Sequence, residues 1–221
     1  MQPHLSQKHR QAFMPVELIV VLFVVAMLIV LVLALARGTR FHSRGGKISC
    51  VHNLKQVALA AKIWAGDNND TLPMGISITN GGSMEDALAG RVLSTFLVMS
   101  NELSTPKILI CPSDHERRLT NNFAGLSAAN VSYFVGIDDT NDINPQSLRF
   151  GERHLELSGR PVRPGLAVFA TNDAVAWSRA LMHKNFGYIS LGDGSVQGTP
   201  SKGLPNFFQQ TGIATNRLAM P

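Results

Sequence analysis

The residues of this chain that could do chemistry are few, and they form no known catalytic pattern. Cys111 is followed by Asp114 and His115, the residue types of a thiol nucleophile and its base. A cysteine at the corner of a strand and a turn is, however, usually structural. The sequence also contains no GxSxG, HExxH, P-loop or strand–GxGxxG–helix motif. We therefore expect a protein that is not an enzyme.

Two other segments carry groups that metal ions accept as ligands. His183 is separated by nine residues from Asp193-Gly194, and His183 and Asp193 could bind a metal or share a hydrogen bond across a hairpin. Residues 138–142 offer oxygen ligands, but they lack the spacing and the bidentate glutamate of an EF-hand. The sequence predicts no cofactor and no metal site, with calcium as an open alternative.

Composition places these residues in a globular chain with one strongly apolar segment. Hydrophobic residues make up 45% of the 221 positions and charged residues only 16%, which excludes a disordered chain. The net charge is +5, but the basic residues are scattered, so nucleic acid is not an expected partner. Residues 18–36 contain no charge, proline or glycine. As a helix they would span roughly 28 Å, which predicts a membrane-spanning segment.

Three interpretations of this apolar segment compete. It could be a permanent anchor. It could be a secretory signal peptide, since Lys8 and Arg10 precede it and Ala34-Leu35-Ala36 fits a small-x-small cleavage pattern, although the segment exceeds the usual apolar length of a signal peptide. The third interpretation is a specialised leader that is removed at the entrance of the helix.

The residues at that entrance resemble the N-terminal motif of the type IV pilin and pseudopilin superfamily. Its pattern is a small residue, Phe, and a glutamate at the fifth mature position before about twenty apolar residues; here these are Ala12, Phe13 and Glu17. The resemblance implies that a prepilin peptidase cleaves between Ala12 and Phe13 and methylates the new amine. It also implies that Glu17 pairs with that amine during assembly. The departures are Ala12 for the usual Gly, Met14 for Thr and Pro15 for Leu.

Further residues resemble a pseudopilin-like subgroup. His183, nine residues, and then Asp193-Gly194 match the H-x9-DG element that labels this group, and the segments beginning at Cys50 and Cys111 are similar to its members. The resemblance leaves the role of His183, Asp193 and Gly194 open; major type II secretion pseudopilins bind calcium near a similar Gly-Asp-Gly hairpin, which keeps calcium as an alternative. The resemblance covers the first part of the chain closely and the remainder in patches.

The predicted fold class is α+β, with a pilin-like layout. A long N-terminal helix has a membrane-spanning first half and an amphipathic second half, which packs on an antiparallel β-sheet head. The predicted divisions are a cytoplasmic leader, the membrane-spanning half, the outer half and a periplasmic head: residues 1–12, 13–37, 38–70 and 71–221. Gly38, Gly45 and Gly46 weaken the joint between the two halves.

Within the head, local patterns predict several elements. Ser83 and Asp86 have the spacing of a capping box, which predicts a helix over 84–101. A hairpin is expected over 187–196, with its turn at residues 192–194. Apolar runs predict three further strands, at residues 107–110, 131–135 and 166–171.

Cys50 and Cys111 are expected to form a disulfide. They are the only cysteines, and the topology that the resemblance implies puts both outside the cytoplasm, where disulfides persist. Cys50 lies on the apolar side of the outer helix half, and the strand ending before Cys111 is expected to cover that side. The alternative is two buried thiols that act as small hydrophobic groups.

The resemblance implies a structural pseudopilin subunit of a type II secretion or type IV pilus-like machine. Its partners would be the prepilin peptidase, other pseudopilins and copies of itself in a short filament, and the inner-membrane secretion platform. It would lie in the bacterial inner membrane with a cytoplasmic N-terminus and a periplasmic head, although the Lys and Arg count favours the opposite orientation. The alternatives are a signal-anchored periplasmic ligand-binding protein and a soluble secreted domain cleaved after Ala36.

Overall fold

The computed structural model describes residues 15–36, 40–141 and 143–221. Over these residues the chain is α+β, with an apolar N-terminal helix and an antiparallel sheet, as the sequence predicts. It divides into two compact units, Met1–Ser43 and Arg44–Pro221, and each is considered by itself.

The helix of the first unit, α1, runs from Pro15 to Ala36. Proline is tolerated at its start because the first residues of a helix have no hydrogen-bond partner for their N–H groups. Every side chain that the structure describes here, from Pro15 to Leu33, is exposed. By length and composition α1 could cross a membrane, and a signal sequence has the same properties.

Helix α2 begins at Arg40 and ends at Gly66. Of the apolar positions that recur at three- and four-residue spacing along α2, Leu54, Val57 and Ala61 are fully buried, whereas Val51 is half-buried and Ile48 is exposed. Leu59 and Ile63 on another face of α2 are exposed. After Gly66 the chain turns through residues with left-handed backbone angles, Asn69 and Asp70, which cannot continue a helix.

The described residues form two antiparallel sheets, one of six strands in the order β5-β9-β1-β2-β7-β8 and one of three strands in the order β4-β3-β6. The remaining helices are short: α3 Met84–Leu88, α4 Leu93–Val98, α5 Ser100–Leu103 and α6 Leu204–Gln210. The strands are β1 Tyr133–Gly136, β2 Leu148–Glu152, β3 Leu155–Leu157, β4 Arg160–Pro161, β5 Gly165–Ala170, β6 Val175–Trp177, β7 Phe186–Leu191, β8 Val196–Pro200 and β9 Thr215–Met220.

The six-stranded sheet is covered on both faces. Tyr133 and Val135 point into a core shared with α2, while Phe134 between them points into a second core with Phe208 of α6 and Trp177 of β6. This alternation follows from the period of two along a strand. Because both faces are buried, every residue of β2 is buried, including the charged Arg149 and Glu152, so no alternation of buried and exposed residues marks this strand.

The helix predicted over 84–101 is wrong in length. Three short helices, α3 to α5, occupy this stretch. Gly90, between α3 and α4, has a positive φ of 76°, and a Cβ there would lie 2.0 Å from the backbone nitrogen of Leu166. The capping box is also absent, because the hydroxyl of Ser83 is hydrogen-bonded to that of Thr95 at 2.9 Å in the interior.

The strand predicted over 107–110 is a 3₁₀ helix, Pro106–Leu109. Pro106 has no N–H to donate, and the side chain of Thr105 accepts the N–H of Lys107, so the segment is capped as a helical turn. The predicted strands near 131–135 and 166–171 are present as β1 and β5 with shifted ends. The predicted hairpin is β7–β8, in which Ser190 pairs with Val196.

Candidate functional site

The two cysteines are joined by a disulfide inside the second unit. Cys50 and Cys111 are both fully buried, with their Cα atoms 4.7 Å apart. Cys111 reaches α2 without the predicted strand because the side-chain amide of Asn53 donates to the carbonyl oxygen of Ile110 at 2.8 Å. The bond excludes Cys111 as a thiol nucleophile. In the chain-entropy description, closing a loop across a separation of 61 residues contributes about 4 kcal/mol as an upper figure.

Two buried ionisable side chains lie against this disulfide. His183 Nε2 is 3.4 Å from Cys111 Sγ, and because a disulfide sulfur has no proton, the imidazole is the donor in this contact. The same nitrogen is 3.2 Å from Glu152 Oε1. We call Cys50, Cys111, Glu152 and His183 the disulfide cluster; the ligand atoms of all four lie within 4.8 Å of one another.

A second set of side chains surrounds Glu152. The backbone N–H of Tyr188 donates to Glu152 Oε2 at 3.3 Å, and His154 Nδ1 is 3.8 Å from the same oxygen. His154 is held in place by stacking on Trp177 and by the carbonyl oxygen of Phe186, 3.1 Å from Nε2. Three buried atoms here have no hydrogen-bond partner: Tyr133 Oη, His154 Nδ1 and Glu152 Oε1.

The pKa values in this region follow from burial. Burial raises the pKa of Glu152, and the neighbouring His183 offsets part of this effect. Burial lowers the pKa of His154 to about 4, so this imidazole is neutral at pH 7. Burial also raises the pKa of Tyr133, and the nearby Glu152 adds to the effect. The region is therefore a low-dielectric pocket of side chains that resist carrying charge.

The structure separates His183 from Asp193, so these residues share neither a metal nor a hydrogen bond. They lie beyond opposite ends of β7, whose six residues span roughly 20 Å. Asp193 Oδ1 accepts the backbone N–H of Ser195 at 2.8 Å, and hydrogen bonds from Ser195 lower the pKa of Asp193. Gly194 has a φ of 85°, and a Cβ on it would lie 3.0 Å from the side chain of Lys62.

The two ends of the H-x9-DG element thus both lie near helix α2, at different positions along the helix axis. His183 meets the disulfide at Cys50, and Gly194 lies against Lys62, twelve residues further along α2. Twelve residues of helix rise roughly 18 Å, close to the length of β7. The nine-residue spacing of the element therefore corresponds to a strand, β7, that is flanked at both ends by residues lying close to α2.

In the oxygen-rich loop, residues 138–142, the side chains of Asp138 and Asp139 pair with arginines. Asp138 accepts from the guanidinium of Arg217 at 2.8 Å, and buried Asp139 accepts from Arg149 at 2.5 Å. A carboxylate paired with a guanidinium offers fewer lone pairs to a cation, so the two described carboxylates of this loop are less available to a calcium ion. Asp142, the last residue of the predicted loop, lies outside the described residues.

The N-terminal motif is only partly described. Ala12 and Phe13 lie outside the described residues, and Glu17 is an exposed side chain in the first turn of α1. An acidic residue at this position is favoured by the partial positive charge of the helix N-terminus.

Sequence reasoning missed Glu152, His154 and Tyr133. Residues 152–154 read Glu-Arg-His, which resembles a solvated turn, yet Glu152 and His154 are buried and only Arg153 reaches the surface. No local signal could have found them, because all three residues of 152–154 are polar and three residues are too few to establish a period of two.

Comparison of the chain with family models, curated proteins and solved structures finds no match. Three features of the chain itself bear on its function: the N-terminal motif, the exposed apolar helix α1 and the packing of α2 on the sheet.

Proposed function

We propose that this chain is a structural, non-enzymatic subunit of the pseudopilin type, processed by a prepilin peptidase and assembled into a short filament of a secretion or pilus-like machine. The observation that carries the proposal is Glu17 in the first turn of a helix whose described side chains are otherwise apolar and all exposed. An acidic side chain in an apolar span is costly, and such residues usually serve a function.

The second unit is compatible with this proposal. The buried stripe of α2 packs in the same core as β1, β2 and β7 of an antiparallel sheet, which is the arrangement expected of a pilin-like head. The described side chains of α1 are all exposed. An exposed apolar helix needs a membrane or other copies of itself to cover it.

The disulfide supports a head outside the cytoplasm. Structural disulfides persist in oxidising compartments such as the periplasm. This favours a cytoplasmic N-terminus and a periplasmic head over the orientation that the Lys and Arg count suggests. The partners of the proposed subunit are the prepilin peptidase, sister pseudopilins, copies of itself and the inner-membrane platform.

The first test is the mass of the mature N-terminus. We expect purified protein from the native host, or from a host that expresses a prepilin peptidase, to begin at N-methylated Phe13. An intact Met1 would indicate an unprocessed signal anchor, such as that of a periplasmic binding protein. A chain beginning at Arg37 would indicate a secreted domain, and either result would contradict the proposal.

The second test separates assembly from membrane insertion. Glu17→Ala removes a charge from the span, so insertion should be unchanged or improved, whereas cross-linking into filaments should be lost. Glu17→Asp, which keeps the charge, serves as the matched control and should retain part of the assembly. A Glu17→Ala chain that is cleaved normally and still assembles at the wild-type yield would refute the assembly role.

A further inference from the structure

We propose that the reduced form of this protein binds one Zn²⁺ ion through Cys50, Cys111, His183 and Glu152. The site would exist only when the disulfide is open, so the cluster alternates between a covalent bond and a metal centre. This inference concerns the head alone and does not depend on the proposed function.

The first support is the geometry of the disulfide cluster. Zinc binds sulfur at about 2.3 Å and nitrogen or oxygen at about 2.0 Å, so the ligands of a tetrahedral site are about 3.3–3.8 Å from one another. The distance from His183 Nε2 to Cys111 Sγ is 3.4 Å, and that from Nε2 to Glu152 Oε1 is 3.2 Å. Two of the ligand–ligand distances are therefore already close to those of a tetrahedral zinc site.

The second support is the state of the Glu152 carboxylate. Its Oε2 accepts the backbone N–H of Tyr188, which fixes the group. Its Oε1 is buried and lies 3.2 Å from His183 Nε2, the nitrogen that also faces Cys111 Sγ. If Nε2 binds the metal, Oε1 loses this donor, and Zn²⁺ would compensate the buried carboxylate in its place.

The third support is the chemistry of the donor set. Two thiolates, an imidazole and a carboxylate match the preferences of zinc, whereas calcium and magnesium prefer oxygen ligands alone. The ligands come from α2, the segment after the 3₁₀ helix, the end of β2 and the segment just before β7. A metal bound between them would hold the same elements together as the disulfide does.

The change between the two states can be written as a balanced reaction. A phosphine and one water molecule become a phosphine oxide, and the two electrons and two protons released convert the disulfide into two thiols. Zinc then binds both sulfurs as thiolates, and two protons pass to the solvent. His183 presents the lone pair of Nε2 to the metal and carries its proton on Nδ1.

The experiment compares the full-length chain in detergent in its oxidised state and after reduction with a phosphine, with metal removed beforehand. Zn²⁺ binding is measured by competition with a chromophoric chelator, and Co²⁺ is used as a spectroscopic probe. We expect one Zn²⁺ per reduced chain, about two protons released per zinc, and a Co²⁺ spectrum with thiolate charge-transfer and tetrahedral bands. The oxidised chain should show none of these.

Variants identify the ligands. His183→Gln and Glu152→Gln should each weaken zinc binding by at least about 100-fold, the upper end of the effect of losing an outer-shell partner. His52→Gln, at an exposed histidine two residues after Cys50, is the matched control and should leave the affinity unchanged. Each variant is first shown to be folded and disulfide-bonded in its oxidised state.

Three outcomes would overturn the proposal. They are a reduced wild-type chain that binds no zinc, an oxidised chain that binds it equally well, and a folded His183→Gln chain with unchanged affinity. The last would mean that His183 only packs on the disulfide. If reduction unfolds the head, zinc should restore its circular dichroism, because metal binding would then be coupled to folding. Failure to restore it would also refute the site.

Discussion

At the scale of single residues, the most informative polar contact outside the disulfide cluster is the pair Asp114–Arg153. The guanidinium of Arg153 donates to both carboxylate oxygens of Asp114 at 2.8 and 2.9 Å, and the Ser132 hydroxyl donates to one of them. The Asp114 side chain is 1% exposed. Burial by itself would raise the pKa of Asp114, but the hydrogen bonds and charge of Arg153 outweigh it and hold the pKa below its usual value.

We expect Asp114→Asn to lower the free energy of unfolding at pH 7 by about 3 kcal/mol, because it leaves a partly buried guanidinium without its main partner. The pKa of Asp114 is lower in the folded than in the unfolded state. Its contribution is therefore complete above about pH 4 and is lost as the pH falls through the folded-state pKa. The measurement is denaturant unfolding of wild type and variant across this range.

The stability difference between wild type and Asp114→Asn should therefore shrink as the solution is acidified. Asp67→Asn, which alters an exposed carboxylate just after α2, is the control and should change stability little at either pH. A difference between wild type and Asp114→Asn that stays constant from pH 7 to pH 3 would contradict the assigned cause.

At the scale of elements, the break between α3 and α4 is set by a contact from far along the chain. The capping-box spacing of Ser83 and Asp86 predicts one helix over 84–101, yet Gly90 adopts a left-handed conformation against the start of β5. The backbone of Leu166 occupies the space where a Cβ would lie. The interruption is thus a packing requirement, which a local capping pattern cannot reveal.

Gly90→Ala should destabilise the head by clearly more than Gly159→Ala. Both glycines have a φ of 76°, so both variants bear the cost of a left-handed alanine, roughly 1–2 kcal/mol. Gly159 has no other atom within 4 Å of the added methyl group, whereas Gly90 would force it into backbone atoms of Gly165 and Leu166. The difference between the two unfolding midpoints therefore reports the cost of the steric clash at Gly90, without the cost of the left-handed backbone. Equal midpoints would show that β5 does not constrain the break.

At the scale of the whole molecule, the chain divides into two units, one with exposed apolar side chains and one with buried cores. The first, Met1–Ser43, carries the exposed apolar helix, and the second, Arg44–Pro221, contains both buried cores and the disulfide. Because both cores and the disulfide are formed within the second unit, we expect the head to fold by itself.

A chain of residues 44–221 should be soluble without detergent and retain the Cys50–Cys111 disulfide. Its unfolding midpoint should match that of the head within the full-length protein, because no core residue has been removed. The measurements are size-exclusion chromatography, thiol quantification and thermal unfolding. Aggregation of the shortened chain, or a markedly lower midpoint, would show that the head depends on residues 1–43.

The sequence by itself determined the features that depend on local composition and periodicity. These are the apolar helix, the buried stripe of α2 and the Gly-Asp-Gly turn of the β7–β8 hairpin. The sequence also limited the cysteines to one possible pairing, since the chain has only two, but it left open whether they form a bond or remain two thiols. Such signals suffice because one face of a helix or one tight turn is encoded within a few neighbouring residues.

Only the tertiary structure decided the features that depend on distant neighbours. Glu152 and His154 are buried because β2 and the segment after it lie between two cores, and nothing local distinguishes them from a charged turn. The approach of His183 to the disulfide, and its separation from Asp193, depend on the direction of β7 beside α2. A spacing of nine residues fixes a distance along the chain but not the conformation that spans it, and here an extended strand carries the two motif residues to opposite ends.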